Sequence, residues 1–322
     1  MNAEKPVVFV TRRLPQAVEE RLRRDYTPLL NTEDRQYTPE ELVEKAARAD
    51  AILTTAGERW SAEMIAALPA RVRIIATYSV GFEHIDLDAC RARGIVVTNT
   101  PDVLTEATAD IAMLCLLGAA RLAYRAQRDL REGRWRRWSP TGYLGLELRG
   151  RNLGIVGMGR IGRALARRAR GFGLVIHYHN RNRLPADLEQ GATYHETLDE
   201  MLPLCHFLSL NCPGSPENRG LLDARRIALL PRGAVVVNTA RGNLVDETAL
   251  MQALRSGQLF AVGLDVFANE PDVDPAWFAF DNAYLLPHIG SATVETRNAM
   301  GFRCLDNLDA FFAGRPVPDP LL

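Results

Sequence analysis

Leu153-Gly154-Ile155-Val156-Gly157-Met158-Gly159-Arg160-Ile161-Gly162 is the stretch that decides how this chain is read. A short apolar run, of the kind that forms a buried strand, leads into Gly-x-Gly-x-x-Gly. Arg163-Ala164-Leu165-Ala166-Arg167-Arg168-Ala169 then continues as a helix. In that setting Gly157 permits a tight turn out of the strand, Gly159 lets the backbone approach a pyrophosphate, and Gly162 lets the helix pack closely on the sheet. The anion rests on the free N–H groups of the helix N-terminus. The glycine spacing alone is a weak signal, and an ordinary strand–turn–helix with small residues is the plain alternative. The strand before and the helix after supply the context the motif requires.

Outward from that stretch, strands and helices alternate in both directions. Downstream, strands are expected at Leu153–Val156, Leu174–Tyr178, Phe207–Leu210, Ala234–Asn238, Ala261–Asp265 and Tyr284–Leu286. Thr197-Leu198-Asp199-Glu200 caps one intervening helix, and Gly257 closes another. Upstream, strands are expected at Val7–Val10, Ala51–Leu53, Ile74–Ala76 and Ile95–Thr98. Helices there cover Pro15–Arg24, a stretch from the capping box Thr38-Pro39-Glu40-Glu41 to about Ala49, a turn from Ser61, and Leu87–Arg93. Between the two series, Thr105 to Arg131 reads as one long helix. It is so apolar through Ile111–Leu117 that it must be buried between domains or against a second subunit. Arg131–Gly150 reads as an extended loop, and Val294–Phe312 as a last helix before a Pro-rich tail.

Such alternation with short connections implies an α/β protein of two doubly wound parallel sheets. A Rossmann dinucleotide domain is expected at residues 100–286, and a smaller flavodoxin-like substrate domain at 1–99 plus 287–322. The crossings near Asn99–Pro101 and Leu286–His288 would form the hinge. The length of 322 residues suits two such domains. Lys and Arg total 39 and Asp and Glu total 39, a balance that argues against nucleic-acid or membrane-surface partners. Cys90, Cys115, Cys205, Cys212 and Cys304 are odd in number and never form Cys-x-x-Cys, as expected of reduced thiols in a cytoplasm. Met1–Pro6 has no signal-peptide pattern, and the apolar run Ile111–Ala120 is half what a membrane crossing needs. A cytoplasmic protein is expected.

Ligands of an open parallel sheet sit outside the carboxyl ends of its strands. The candidates are therefore Asn180 and Arg181, Asn211-Cys212-Pro213, Asn238-Thr239-Ala240-Arg241-Gly242, Asp265, and Pro287-His288. Of six histidines, only His288 directly follows a strand at this edge with a Gly-Ser turn behind it. His177 and His179 share one strand face, but no carboxylate or cysteine at helpful spacing joins them, so no metal site is expected. Trp135 and Trp138 are in line for interface packing.

Four segments together resemble the D-isomer-specific 2-hydroxyacid dehydrogenases over nearly the whole chain. They are Gly154–Gly162, Val237–Gly242 with Val245-Asp246, Gly263–Phe267 with Glu270-Pro271, and Leu286-Pro287-His288-Ile289-Gly290-Ser291-Ala292-Thr293. Ser79-Val80-Gly81-Phe82-Glu83-His84-Ile85-Asp86 and His177–Arg181 are similar to the glyoxylate/hydroxypyruvate reductase branch. The resemblance implies reduction of a small 2-keto acid by hydride transfer. It assigns the carboxylate clamp to Arg241 and the proton donor to His288, whose imidazolium Glu270 favours. It also implies that backbone N–H groups around Val80 and Gly81 hold the substrate carboxylate. The loop with Trp138 would reach a neighbouring subunit's site, and Gly142 stands where some relatives carry a bulky group. Gly157, Gly159, Arg160, Ile161 and Gly162 would hold the cofactor's pyrophosphate region. Cys212, Pro213, Thr239, Ala240, Asp265 and Gly290 would hold the rest.

In that family an acid 23 residues after the first glycine binds the ribose 2′-hydroxyl, and here the position is Asn180. Arg181 and Arg183 follow, a combination suited to a 2′-phosphate, so NADP(H) is expected ahead of NAD(H). The alternative is that both arginines face solvent. A homodimer is expected, held by the apolar helix within Thr105–Ala120 and the loop through Trp138. Rival readings are a formate- or phosphite-type dehydrogenase, a 3-phosphoglycerate dehydrogenase and a dinucleotide-sensing corepressor. The first is disfavoured by Glu270, and the other two by the lack of room for added domains or docking extensions.

Overall fold

Runs of Val, Ile and Leu with no polar alternation form strands here because both faces of each sheet are covered. The computed structural model describes residues 4–322. They divide into two units, one reaching Leu104 and resuming at Ser291–Leu322, the other spanning Thr105–Gly290. The cuts expected from sequence lie a few residues earlier, so His288 and Gly290 fall in the second unit.

In the first unit, β1 (Val7–Val10), β2 (Thr27–Leu29), β3 (Ala51–Thr54), β4 (Ile74–Thr77) and β5 (Val96–Thr98) are all parallel. Their order is β2-β1-β3-β4-β5, the flavodoxin-like arrangement. The sequence reading does not anticipate β2, since Thr-Pro-Leu carries little strand signal and only pairing with β1 makes it a strand. The Thr38–Glu41 capping box forms as expected, with both reciprocal bonds present. The C-terminal helix Val294–Phe312 belongs to this unit and packs on β4 and on the helix Gln16–Asp25.

The second unit has seven parallel strands. They are β6 (Asn152–Val156), β7 (Val175–His179), β8 (Thr193–His195), β9 (Phe207–Leu210), β10 (Ala234–Asn238), β11 (Leu259–Leu264) and β12 (Ala283–Leu285). Their order is β12-β11-β10-β9-β6-β7-β8. The winding reverses at β6, which has β7 on one side and β9 on the other, and a dinucleotide binds at such a reversal. Side chains alternate between two covered faces. Val235 and Val237 join Leu153 and Ile155 under one helical layer, while Val236 joins Leu208, Leu250 and Leu254 on the other side. Each such buried side chain contributes about 1.5–3 kcal/mol, which is how strands this short are held.

The stretch Thr105–Arg131 corrects the sequence reading. It forms two helices, Thr105–Ala120 and Ala123–Arg131, bent by 69°. Leu122 at the break takes a left-handed φ of 50° and is buried in the same cluster as Leu148. Beyond it, Ala123–Arg131 has no buried residue, so the bend separates an apolar half from a polar half. Nor does the first half need a second domain or subunit to be buried. Its Cys115 backbone lies against Gly263 and its Gly118 against the Tyr284 ring, within the same unit. Leu114 is left 41% exposed. Among the described residues, no single helix is long and apolar enough to cross a membrane.

Candidate active site

All the strands of the second sheet run the same way, so the turns after β6, β7, β9, β10, β11 and β12 gather at one edge. Gly157 makes the first of these turns with φ 93°, and a Cβ there would lie 2.6 Å from the Cys212 nitrogen. Only glycine lets the loop after β6 pass the loop after β9 that carries Cys212 and Pro213. Gly159 caps the helix Arg160–Gly171 without any side-chain cap, and a Cβ on it would meet nothing within 4 Å. Open space over uncapped N–H groups, in the first turn with Ile161 and Gly162, suits a pyrophosphate.

Two buried polar atoms further along this edge have no hydrogen-bond partner, Thr239 Oγ1 and Asp265 Oδ2. Asp265 is 1% exposed, and its other oxygen accepts the Ile289 N–H at 2.7 Å. Burial pushes its carboxyl above the ordinary range. An unmatched acceptor beside the small Gly290 and an unmatched hydroxyl beside Ala240 fit an amide-bearing ring such as nicotinamide.

The catalytic candidates come together across three strand ends. His288 follows β12 with a φ of 53°, an uncommon backbone for a residue with a Cβ. Its Nδ1 lies 2.6 Å from Glu270 Oε2, and both side chains keep access to solvent, at 45% and 31% exposure. The other Glu270 oxygen accepts the Phe267 N–H at 2.8 Å. Desolvation alone would raise the Glu270 carboxyl. The hydrogen bond and charge of His288, the Phe267 N–H and the Arg241 charge outweigh it and hold the group below the ordinary carboxylate range. Arg241 follows β10, and its neighbour Gly242 is jammed against the next loop. A Cβ at Gly242 would lie 1.9 Å from the Phe267 carbonyl carbon. That backbone-on-backbone contact brings the arginine turn to the glutamate turn. Asn238 fastens the arginine turn by donating to the Arg241 carbonyl at 2.8 Å and accepting the Ala240 N–H at 3.0 Å. Glu247, the first residue of the helix Glu247–Ser256, accepts the Ala268 N–H at 2.7 Å and the Trp277 indole N–H at 3.0 Å. It pins the far side of the same turn.

At the end of β7, Asn180 does more than lack a charge. Its Oδ1 accepts the Met158 N–H at 2.6 Å, tying this turn to the glycine loop. Arg181 is exposed, and its charge is felt at Glu217. Arg183 is engaged differently, with Nε and Nη2 donating to the two oxygens of Glu189 at 2.8 and 3.1 Å. Tyr178 also donates to Glu189, at 2.6 Å. The sequence carries no spacing signal for this second carboxylate, which enters from the short helix Ala186–Glu189. His177 Nδ1 and His195 Nε2 are 2.9 Å apart, a pair that exists only because the unanticipated β8 runs alongside β7. Among the described residues, no group of three or more His, Cys, Asp or Glu is arranged to hold a metal ion.

Trp138 stands 77% exposed on the loop between the helix ending at Arg131 and β6. Val80 and Gly81 lie in the first unit, just after β4. Among the described residues their N–H groups find no acceptor.

Residues 113–290 match the family model for the D-isomer specific 2-hydroxyacid dehydrogenase, NAD binding domain. The glycerate dehydrogenase of Hyphomicrobium methylovorum is 43% identical over 312 residues, 96% of this chain and 97% of that one. The glyoxylate reductase of Pyrococcus furiosus is 43% identical over 319 residues, 98% of this chain and 94% of that one. Among solved structures, the NADPH-dependent glyoxylate/hydroxypyruvate reductase of Sinorhizobium meliloti, in complex with NADP and malonate, matches with a TM-score of 0.87. It is 36% identical and covers 99% of this chain and 97% of that one. The chain belongs to the D-isomer specific 2-hydroxyacid dehydrogenase family, on its glyoxylate reductase branch. It is an oxidoreductase of small 2-keto and 2-hydroxy acids that uses a nicotinamide dinucleotide.

Proposed function

We propose that this enzyme reduces glyoxylate or hydroxypyruvate with NADPH, as a cytoplasmic homodimer. The observation that carries the chemistry is the 2.6 Å pair of His288 and Glu270, accessible to solvent and next to Arg241. His288 gives a proton from Nε2 to the oxygen that becomes the alkoxide, while Nδ1 stays on Glu270. The Glu270 carboxylate, held in its charged form, orients the ring and offsets the charge of an imidazolium. Arg241 offers a planar set of donors that polarises the keto oxygen and grips the carboxylate. In the first unit, the N–H groups of Val80 and Gly81 are donors suited to a substrate carboxylate. Hydride for the keto carbon is what the reduced nicotinamide supplies when bound, against Asp265, Thr239 and Gly290.

The NADPH preference is supported by the absence of an acid at Asn180 and by the exposed Arg181, with Arg183 beside it. The Sinorhizobium meliloti relative is itself NADPH-dependent. Use of NADH is the second reading, and one observation favours it, because Arg183 already gives two of its donors to Glu189. Trp138, Trp135, Leu130 and Leu144 leave an exposed apolar stretch that suits a second copy of the chain.

Purified protein mixed with NADPH or NADH and a panel of 2-keto acids, followed at the nicotinamide absorbance, tests the reading. Glyoxylate and hydroxypyruvate should be turned over best, and NADPH should give the higher kcat/KM. Equal efficiency with both cofactors, or a preference for NADH, removes the cofactor assignment. Light scattering that finds only monomer at micromolar concentration removes the dimer.

A further inference from the structure

We propose that Thr77, Ser79 and Asn99 are positioning residues for the substrate carboxylate, acting through the loop Ser79-Val80-Gly81, with a hydrogen-bond relay that begins at Nε2–H of His84. The inference rests on the assignment of that loop to the carboxylate, and adds what keeps it ready to bind.

Three successive carbonyls of this loop are held by other groups of the same unit. Ser79 O accepts the Thr100 N–H at 2.9 Å, Val80 O accepts Asn99 Nδ2 at 2.8 Å, and Gly81 O accepts Ser79 Oγ at 2.6 Å. In a trans peptide the C=O of one residue and the N–H of the next point to opposite sides. Holding those carbonyls therefore turns the N–H groups of Val80, Gly81 and Phe82 away from their anchors. Asn99 and Thr100 are consecutive residues just after β5, so the first two peptides are turned the same way. Among the described residues none of these three N–H groups has an acceptor. Consecutive donors facing away from their own chain, on the half-buried Val80 and Gly81 and the exposed Phe82, are a seat for an anion.

Proton bookkeeping fixes the direction of the relay behind them. The Gly81 carbonyl can only accept, so Ser79 gives it the one proton of its hydroxyl. Ser79 Oγ must then accept from Thr77 Oγ1, 2.8 Å away. Thr77, its own proton given, must accept from His84 Nε2 at 2.9 Å. The chain therefore runs one way, and it requires a hydrogen on Nε2 of His84. Thr77 is fully buried and Ser79 nearly so, which keeps water from replacing either bond. Thr77 closes β4, so the anion seat is braced by the sheet itself.

With glyoxylate and NADPH, Ser79→Ala and Thr77→Val should each raise the keto-acid KM about threefold to tenfold, the range for one neutral hydrogen bond. The KM for NADPH should stay at the parental value, and Thr77→Ser, which keeps the hydroxyl, should restore the parental keto-acid KM. Nitrogen-15 NMR of labelled protein should find the His84 proton on Nε2. The proposal is overturned by a parental keto-acid KM in Ser79→Ala, by an equal rise in the NADPH KM, by Thr77→Ser as impaired as Thr77→Val, or by a His84 bare at Nε2. A parent enzyme that reduces no 2-keto acid would instead remove the functional reading, and the NMR result would still decide the relay.

Discussion

Two turns at the same sheet edge each set a basic side chain against a glutamate, and they come out differently. After β12, His288 meets Glu270 with both side chains open to solvent, at 45% and 31% exposure. After β7, Arg183 meets Glu189, whose side chain is only 8% exposed and also takes the Tyr178 hydroxyl. The first pair leaves both side chains accessible, and an imidazole is a group that can both take and give a proton. The second buries its carboxylate and employs a guanidinium that never deprotonates in a protein. On the proposed function, the pair that moves a proton stays open to solvent, whereas the pair that braces its turn surrounds its anion.

The sharpest way to break this contrast is His288→Ala. It should fold and bind cofactor yet lose about 10²–10⁴ in kcat, the usual share of a general acid. Near-parental turnover in the folded variant would make the β12 pair a brace as well. Next in size, Arg181→Ala should raise the KM for NADPH about tenfold or more, the loss of one charge-assisted hydrogen bond, with NADH nearly unaffected. Arg183→Ala should cost less in cofactor selectivity and show instead as a small fall in Tm, since its own side chain is largely exposed. If Arg183→Ala discriminates more strongly than Arg181→Ala, the β7 pair recognises phosphate and is no brace.

The smallest effect expected is in pH. The folded Glu270 carboxyl is held below its ordinary value, so the pairing contributes stability that is fully present above that ordinary value. It is lost only as pH falls through the lower folded value. The acid-side decline of kcat/KM assigned to Glu270 should therefore lie below the ordinary carboxylate range, and it should be missing from the Glu270→Gln profile. A decline that persists unchanged in Glu270→Gln would assign it to another group.

Much of the site was legible because its residues sit immediately after strands and carry local requirements. Gly157 takes a positive φ that a glycine adopts without strain, a local requirement, whereas Gly242 must lack a Cβ only because the Phe267 loop arrives against it. His288, Glu270 and their pairing could be named from the family resemblance, and the fold supplies the 2.6 Å geometry by which residues 18 apart meet from two different strand ends. Asn180 was legible as a missing acid and illegible as the acceptor of the Met158 N–H, because that bond depends on how β7 registers against β6. Arg183 was expected at a phosphate for its type and spacing, and nothing local announced Glu189. Glu247 and the Thr77–Ser79 relay were missed for the same reason.

The amino-acid sequence by itself determined the alternation of buried strands and helices, the glycine turn after β6, and the residue types at the strand ends. These follow from short-range physics: apolar runs, caps, and backbone angles that one residue can or cannot adopt. Only the tertiary structure decided where the Thr105–Arg131 stretch bends, that β2 and β8 exist, and which carboxylate each cation meets. Those outcomes depend on side chains from distant segments arriving within about 3 Å of one another. Hydrogen bonds and ion pairs select among such arrivals only after the sheets have set them side by side.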